Sequence, residues 1–263
     1  MLQINFFRRS SLGLPLLIKN YCVRLSDVGV HGVLGGQALM NILQDIAAEH
    51  AMNLGFGVND LAGNDLAWFL GRLSVRVNRY PRWDEEITVA TWPCGSRGLM
   101  CFRDFEITDS AGDIIVAASS GWLVVDLNRR RPLRPNRALG EIPINPKRVL
   151  ETDFQEIDEP GECRFSKTFE PRFAEIDLNN HINNSIYLTW ATESMPQEVL
   201  AGYVPVEIDI AFKSEVSLGR LVTAETCITG DHAETKTAIH SISQDGSESI
   251  AAKLKTVWKL AEA

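Results

Sequence analysis

Apolar residues recur along this chain with two periods. Over Gly36 to Leu54, Leu39, Ile42, Leu43, Ile46, Ala47 and His50 repeat every three to four residues, which predicts a helix stopped by Gly55 and Gly57. The period then switches to two. Leu73, Val75 and Val77 alternate with Ser74, Arg76 and Asn78, and Ile87 to Trp92, Phe102 to Thr108 and Ile114 to Asp126 follow in the same style. These segments predict four antiparallel strands, with a turn at Asp109 to Asp113.

The plan then repeats. Asn183 or Asn184 can cap a second helix that carries Ile186, Tyr187, Trp190 and Ala191, with breaks at Pro196 and Gly202. Strand-like runs follow at Val206 to Phe212, Leu221 to Ile228, Thr235 to Ser243 and Ile250 to Leu260. In the last, Leu254, Thr256, Trp258 and Leu260 are expected on one face and Lys253, Lys255 and Lys259 on the other. Each half opens with an isolated strand, Asn20 to Leu25 and Arg164 to Glu170. A strand, a helix and four strands, twice, predict an α+β tandem hot-dog: two long helices, each wrapped by a curved antiparallel sheet, joined edge to edge as an internal pseudo-dimer. The expected division is an N-terminal extension (1–15), a first hot-dog (16–138), a linker (139–161) within the Pro-, Asn- and Arg-rich bridge from Pro132 to Gly161, and a second hot-dog (162–263).

Composition narrows the class. The 263 residues are 45% hydrophobic and 23% charged, as in ordinary globular chains, and no apolar run is long enough to span a membrane. A net charge of −8 argues against general nucleic-acid binding. Arg8, Arg9 and Lys19, with no acid before Asp27, give the N-terminus the composition of an organelle-directing leader, but a cytoplasmic location is the expectation. Cys22, Cys94, Cys101, Cys163 and Cys227 lack metal-ligand spacing and read as free thiols in a reducing compartment. No metal or organic cofactor is implied.

The segment Glu175 to Asn184 carries the chemistry. If it is extended, Asp177, Asn179 and His181 alternate onto one side just before a helix N-terminus, where backbone N–H groups around Asn183 and Asn184 could receive a developing oxyanion. A histidine with nearby carboxylates suits acid-base hydrolysis. The same residues also suit a plain turn and cap.

The stretch DLNNHINNSIYLTWATESMPQEVL closely resembles the acyl-acyl-carrier-protein thioesterases of plants and bacteria, whose second half carries D-x-N-x-H-V-N-N followed by Tyr, Trp and E-S-x-P. WFLGRLSVRVNRYPRWDEEITVATW and RDFEITDSAGDIIVAASSGWLVVDLNRRRPLRP are similar to the same family's first half, and the likeness covers roughly residues 18 to 260. It implies hydrolysis of the fatty acyl thioester of acyl carrier protein, with Asp177, Asn179, His181 and Glu215 catalytic. The family's Glu-Cys pair falls at Glu215 and Val216, so a cysteine nucleophile is ruled out here. Whether Asp177 or Glu215 is the base or the nucleophile stays open.

The resemblance also places the acyl pocket in the first half, with Leu39, Met40, Leu43 and Trp68 as candidate lining. Arg129, Arg130, Arg131 and Arg134, with Arg137, form the one basic concentration. They suit docking of an acidic carrier protein or its phosphopantetheine arm, or a solvated strand end. His31 and His50 read as structural, and His232 and His240 lack partners in the sequence. A coenzyme A thioesterase, a hot-dog dehydratase and a non-catalytic acyl-binding module are the alternatives; Val216 favours the last, and the intact acid-histidine set opposes it. A tandem chain can remain a monomer or form a homodimer.

Overall fold

The computed structural model describes residues 15–152, 154–161, 165–247 and 249–261. The leader reading of the N-terminus, Cys163 and the start of the second opening strand at Arg164 lie outside these residues.

The first half runs β1 (Leu17–Cys22), α1 (Gly36–Asn53), α2 (Val58–Ala62), β2 (Leu66–Val77), β3 (Glu86–Arg97), β4 (Met100–Thr108), β5 (Ile114–Asp126), β6 (Arg131–Leu133) and α3 (Pro135–Ala138). The second runs β7 (Phe165–Phe169), α4 (Asn184–Glu193), α5 (Gln197–Gly202), β8 (Tyr203–Phe212), β9 (Val222–Asp231), β10 (Thr235–Gln244) and β11 (Ile250–Leu260). The strands form a single antiparallel sheet in the order β1-β3-β4-β5-β2-β8-β11-β10-β9-β7, with β6 paired to β5. That order reads the same from either edge once β1–β5 are matched to β7–β11. The tandem hot-dog is therefore present, with β2 and β8 as its seam.

At the seam Arg72 pairs with Ala211 and Arg76 with Glu207, and the Arg76 guanidinium reaches both oxygens of Asp209 at 3.1 and 3.0 Å. A two-pronged guanidinium–carboxylate pair fixes orientation as well as charge. Each helix lies on its own half of the sheet, and α1 and α4 also touch each other. Leu39, Met40, Ile42, Leu43, Ile46 and Ala47 make up the buried face of α1, as their spacing predicts. The helix stops where Gly55 turns left-handed at φ +82 and the Phe56 N–H donates to the Ala51 carbonyl.

Two features go beyond what the patterning showed. Lys253 does not face solvent: it is buried and bonded to Glu159 at 2.6 Å, while Leu260 is exposed. The bridge between the halves is also not a free tether. It straps the outer face of the sheet, with Arg148 on Asp104 at 3.0 Å, the Lys147 carbonyl accepting from Trp92 Nε1, and Ile157 buried against Ala211 and Ile239. Lys253 is buried because this strap supplies its carboxylate. The opening strand β1 ends at Cys22, and Leu25–Asp27 forms a short 3₁₀ turn.

Candidate active site

The turn before α4 is not extended. Ile176 bridges Ile182, the Asp177 N–H donates to the His181 carbonyl at 2.8 Å, and Asn180 takes a left-handed φ of +61, which asparagine tolerates better than most residues. Asp177 Oδ1 accepts from the backbone N–H of Asn179 at 2.8 Å and of His181 at 3.3 Å. Strand alternation therefore does not bring the predicted residues together; a tight turn clamped by the Asp177 carboxylate does. Asp177, Asn179 and His181 still line one small cavity, with Trp68, Tyr187 and Glu215.

Glu215 arrives from the chain that follows β8, and its Oε2 lies 3.1 Å from His181 Nε2. Both side chains are partly open to solvent. Tyr187 on α4 holds that chain in place: its hydroxyl accepts from the Val216 N–H at 3.0 Å and donates to the Ser214 carbonyl at 3.4 Å. Val216 is 0% exposed and its side chain belongs to the core. The position where the family carries cysteine thus points away from the cavity that Glu215 enters.

The helix N-terminus is already partly used. Asn183 caps α4, its Oδ1 accepting from Ser185 N–H, and its own N–H donates to the Glu175 carbonyl. Asn183 is therefore not a free oxyanion donor. Among the described residues no backbone acceptor outside α4 takes the N–H of Asn184, the first residue of the helix. Gln44 of α1 crosses from the other half, donating to Asn183 Oδ1 at 3.1 Å and accepting from Asn184 Nδ2 at 3.4 Å. Neither Gln44 nor the Tyr187 hydroxyl stood out in the sequence. Gln44 sits beside Leu43 at the edge of the predicted apolar face, the one available sign that a polar group was aimed inward.

From this corner an apolar cavity of about 260 Å³ opens into the first half. Trp68 lines it, as expected, with Nε1 donating to the Phe56 carbonyl at 2.9 Å. Leu39, Met40 and Leu43 do not. They fill the core between helices and sheet, and the lining face of α1 is Gln44, Ala47, Ala48 and Ala51, where small side chains leave the space. Arg103 also lines the cavity, bonded to His50 Nδ1 at 3.0 Å and Thr91 Oγ1 at 3.2 Å, and burial lowers its guanidinium to about 10.

Arg129, Arg130, Arg131 and Arg134 are exposed around the β5–β6 connection. Arg129 pairs with Asp126 at 3.3 Å. Leu127, just before the cluster, lines the apolar cavity, so the basic residues stand near its rim. His31 donates through Nε2–H to the Leu200 carbonyl at 3.1 Å, which fits a structural role. His240 has partners after all: Thr226 Oγ1 at 2.7 Å and Thr256 Oγ1 at 2.8 Å, fully buried.

Models of the acyl-ACP thioesterase N-terminal and C-terminal domains match residues 16–139 and 158–260. Among curated proteins, the chain is 30% identical over 211 residues to a chloroplastic palmitoyl-acyl carrier protein thioesterase of Cuphea hookeriana, covering 75% of this chain and 51% of the relative. It is 29% identical over 224 residues to a chloroplastic acyl-[acyl-carrier-protein] hydrolase of Cuphea viscosissima, covering 80% and 54%. The chain thus spans about half the length of these curated relatives. A solved 12:0-ACP thioesterase from Umbellularia californica has the same fold, with a TM-score of 0.85 at 22% identity over 97% of this chain and 98% of the other.

Proposed function

The chain belongs to the acyl-acyl-carrier-protein thioesterase family, and from that membership and the site's geometry we propose that it hydrolyses the thioester between a fatty acyl chain and acyl carrier protein. The products are free fatty acid and the carrier thiol, a step that ends chain elongation in fatty acid biosynthesis. The observation that carries this reading is the His181–Glu215 pair, 3.1 Å apart at the N-terminus of α4, where the apolar cavity begins.

The acyl chain lies in the first half's cavity, and its carbonyl oxygen faces the Asn184 N–H, the positive end of α4. Asp177 is occupied as the clamp of the turn, which favours Glu215 as the base. Glu215 takes a proton from water as the water oxygen attacks the carbonyl carbon. The C–S bond then breaks, and the proton passes through His181 to the departing sulfur. No cysteine nucleophile is needed, in keeping with Val216 in the core.

Acyl carrier protein, an acidic partner, fits the exposed Arg129, Arg130, Arg131 and Arg134 near the cavity rim. The free Cys22, Cys94, Cys101 and Cys227 suit a reducing cytoplasm, and a monomer suffices because one chain supplies both halves of the site. Among the described residues no helix is long and apolar enough to cross a membrane.

The test is free fatty acid release from acyl carrier protein and coenzyme A thioesters, with wild type beside His181→Ala. Release from the carrier thioesters that vanishes in the variant is the expected result. A preference for coenzyme A would reassign the carrier, and full turnover by His181→Ala would overturn the site.

A further inference from the structure

We propose that Ile142, on the strap between the halves, separates the acyl cavity from a second cavity that receives the methyl-terminal part of long acyl chains, and thereby sets chain-length preference. The inference rests on the thioesterase reading above.

The acyl cavity has two ends. One carries Asp177, Asn179 and Asn184; the other is closed by Pro93, Cys101, Phe102 and Ile142. Between them the sheet runs β2-β5-β4-β3, and three strand spacings place the far end about 14 Å from β2. A second cavity, of about 530 Å³, begins there and shares those same four closing residues. Its outer walls are Gly95, Ser96, Asn136, Gly140, Glu141 and Ile144, with Glu141 at the exposed edge. The ladder between β3 and β4 shifts register between Pro93 and Gly95, and Gly95 has φ +136, so the strand bends away and opens the space.

Of the four shared residues, Pro93, Cys101 and Phe102 sit in sheet strands. Ile142 does not. Its segment is pinned at Leu139, whose N–H donates to the Pro135 carbonyl at 2.8 Å, and at Asn145, whose N–H donates to the Pro93 carbonyl at 2.8 Å. Among the described residues, no backbone hydrogen bond holds 140–144 between those pins. An unlatched segment that places one half-buried isoleucine between two cavities is a wall that can be resized without disturbing the sheet. An apolar pocket distinguishes chains differing by one methylene by on the order of tenfold, enough for one side chain to shift the profile.

The experiment compares kcat/KM across carrier-protein thioesters from medium to long acyl chains for wild type, Ile142→Ala, Ile142→Trp and Asn136→Trp. Opening the wall with Ile142→Ala raises the long-to-medium ratio by about tenfold, and Ile142→Trp lowers it by a similar factor. Asn136 lines the second cavity and not the acyl cavity, so Asn136→Trp reduces turnover of the longest chains and leaves the medium ones unchanged. An unchanged profile in both active Ile142 variants, or an Asn136→Trp enzyme that handles long chains like wild type, would overturn the proposal. If wild type hydrolyses nothing, the thioesterase reading fails instead. Binding of a fluorescent long-chain fatty acid then decides the cavity: weakened at least tenfold by Ile142→Trp if the proposal holds, unaltered if it does not.

Discussion

The turn before α1 and the turn before α4 share one backbone and differ in nearly every polar side chain. Val28 bridges Leu34 as Ile176 bridges Ile182. The Gly29 N–H donates to the Val33 carbonyl at 3.0 Å as Asp177 does to His181 at 2.8 Å, and the left-handed position is Gly32 in one and Asn180 in the other. Each turn is preceded by an arginine whose N–H an acid three residues later accepts, Asp27 for Arg24 and Glu175 for Arg172. Where the second turn has Asp177, Asn179 and His181, the first has Gly29, His31 and Val33. The scaffold therefore closes without the proposed catalytic side chains, and those side chains are additions to it. The first turn also has different neighbours: His31 Nε2 lies 3.1 Å from the Leu200 carbonyl, and a Cβ on Gly36 would meet Leu188 at 3.2 Å.

The comparison breaks most sharply if the second turn is given the first turn's residues. Asp177→Gly with His181→Val is expected to lower kcat by on the order of a hundredfold or more while the protein still folds, because the first turn closes with those residues. A melting transition lost together with activity would show that the clamp is structural.

A second contrast lies deeper. On the strand position facing Thr91 the first half has Phe105, and on the equivalent position facing Thr226 the second has His240. Burial pushes the His240 imidazole down to about 3 from an ordinary 6.5. A histidine held neutral in the folded state stabilises it fully above pH 6.5. That stability is lost as pH falls below 6.5 toward 3, at roughly 1.4 kcal/mol per pH unit. Denaturant unfolding at pH 7 and pH 5 is expected to differ by about 2 kcal/mol from this group, and His240→Phe should flatten the difference; an unchanged slope would remove His240 as its source.

The smallest effect is an expected absence of gain. Gly29→Asp with Val33→His places counterparts of Asp177 and His181 on the first turn, yet turnover per chain should stay at the wild-type value because no counterpart of Glu215 stands there: the Leu34 N–H donates to the Pro81 carbonyl as Ile182 does to Val216, so Tyr80 falls where the second half has Glu215. A doubled rate in the fatty acid release assay would show that side chains alone make the site.

Much of this was legible in the sequence. Period-3.6 and period-2 patterning located α1 and nearly every strand, because each of those elements has one face on a shared core. Asp177, His181 and Glu215 were legible as residues, but not the turn that assembles them, since Asn180's left-handed backbone leaves no apolar pattern. Leu39, Met40 and Leu43 were misplaced for the opposite reason: a cavity is bounded by what is small, and Ala47, Ala48 and Ala51 look like ordinary helix filler. Lys253 and Gln44 meet partners 94 and 139 residues away, beyond any local rule.

The β2–β8 seam constrains motion. With five residue pairs and the Arg76–Asp209 bridge across it, the halves cannot swing apart as jaws without tearing a sheet ladder. In the proposed reaction the acyl chain is therefore threaded in and slides out past the rim. If the chain is the proposed thioesterase, local breathing of loops such as 140–144 sets the pace of product escape, and stiffening those loops, not hinging the halves, is the lever on how long a fatty acid stays bound.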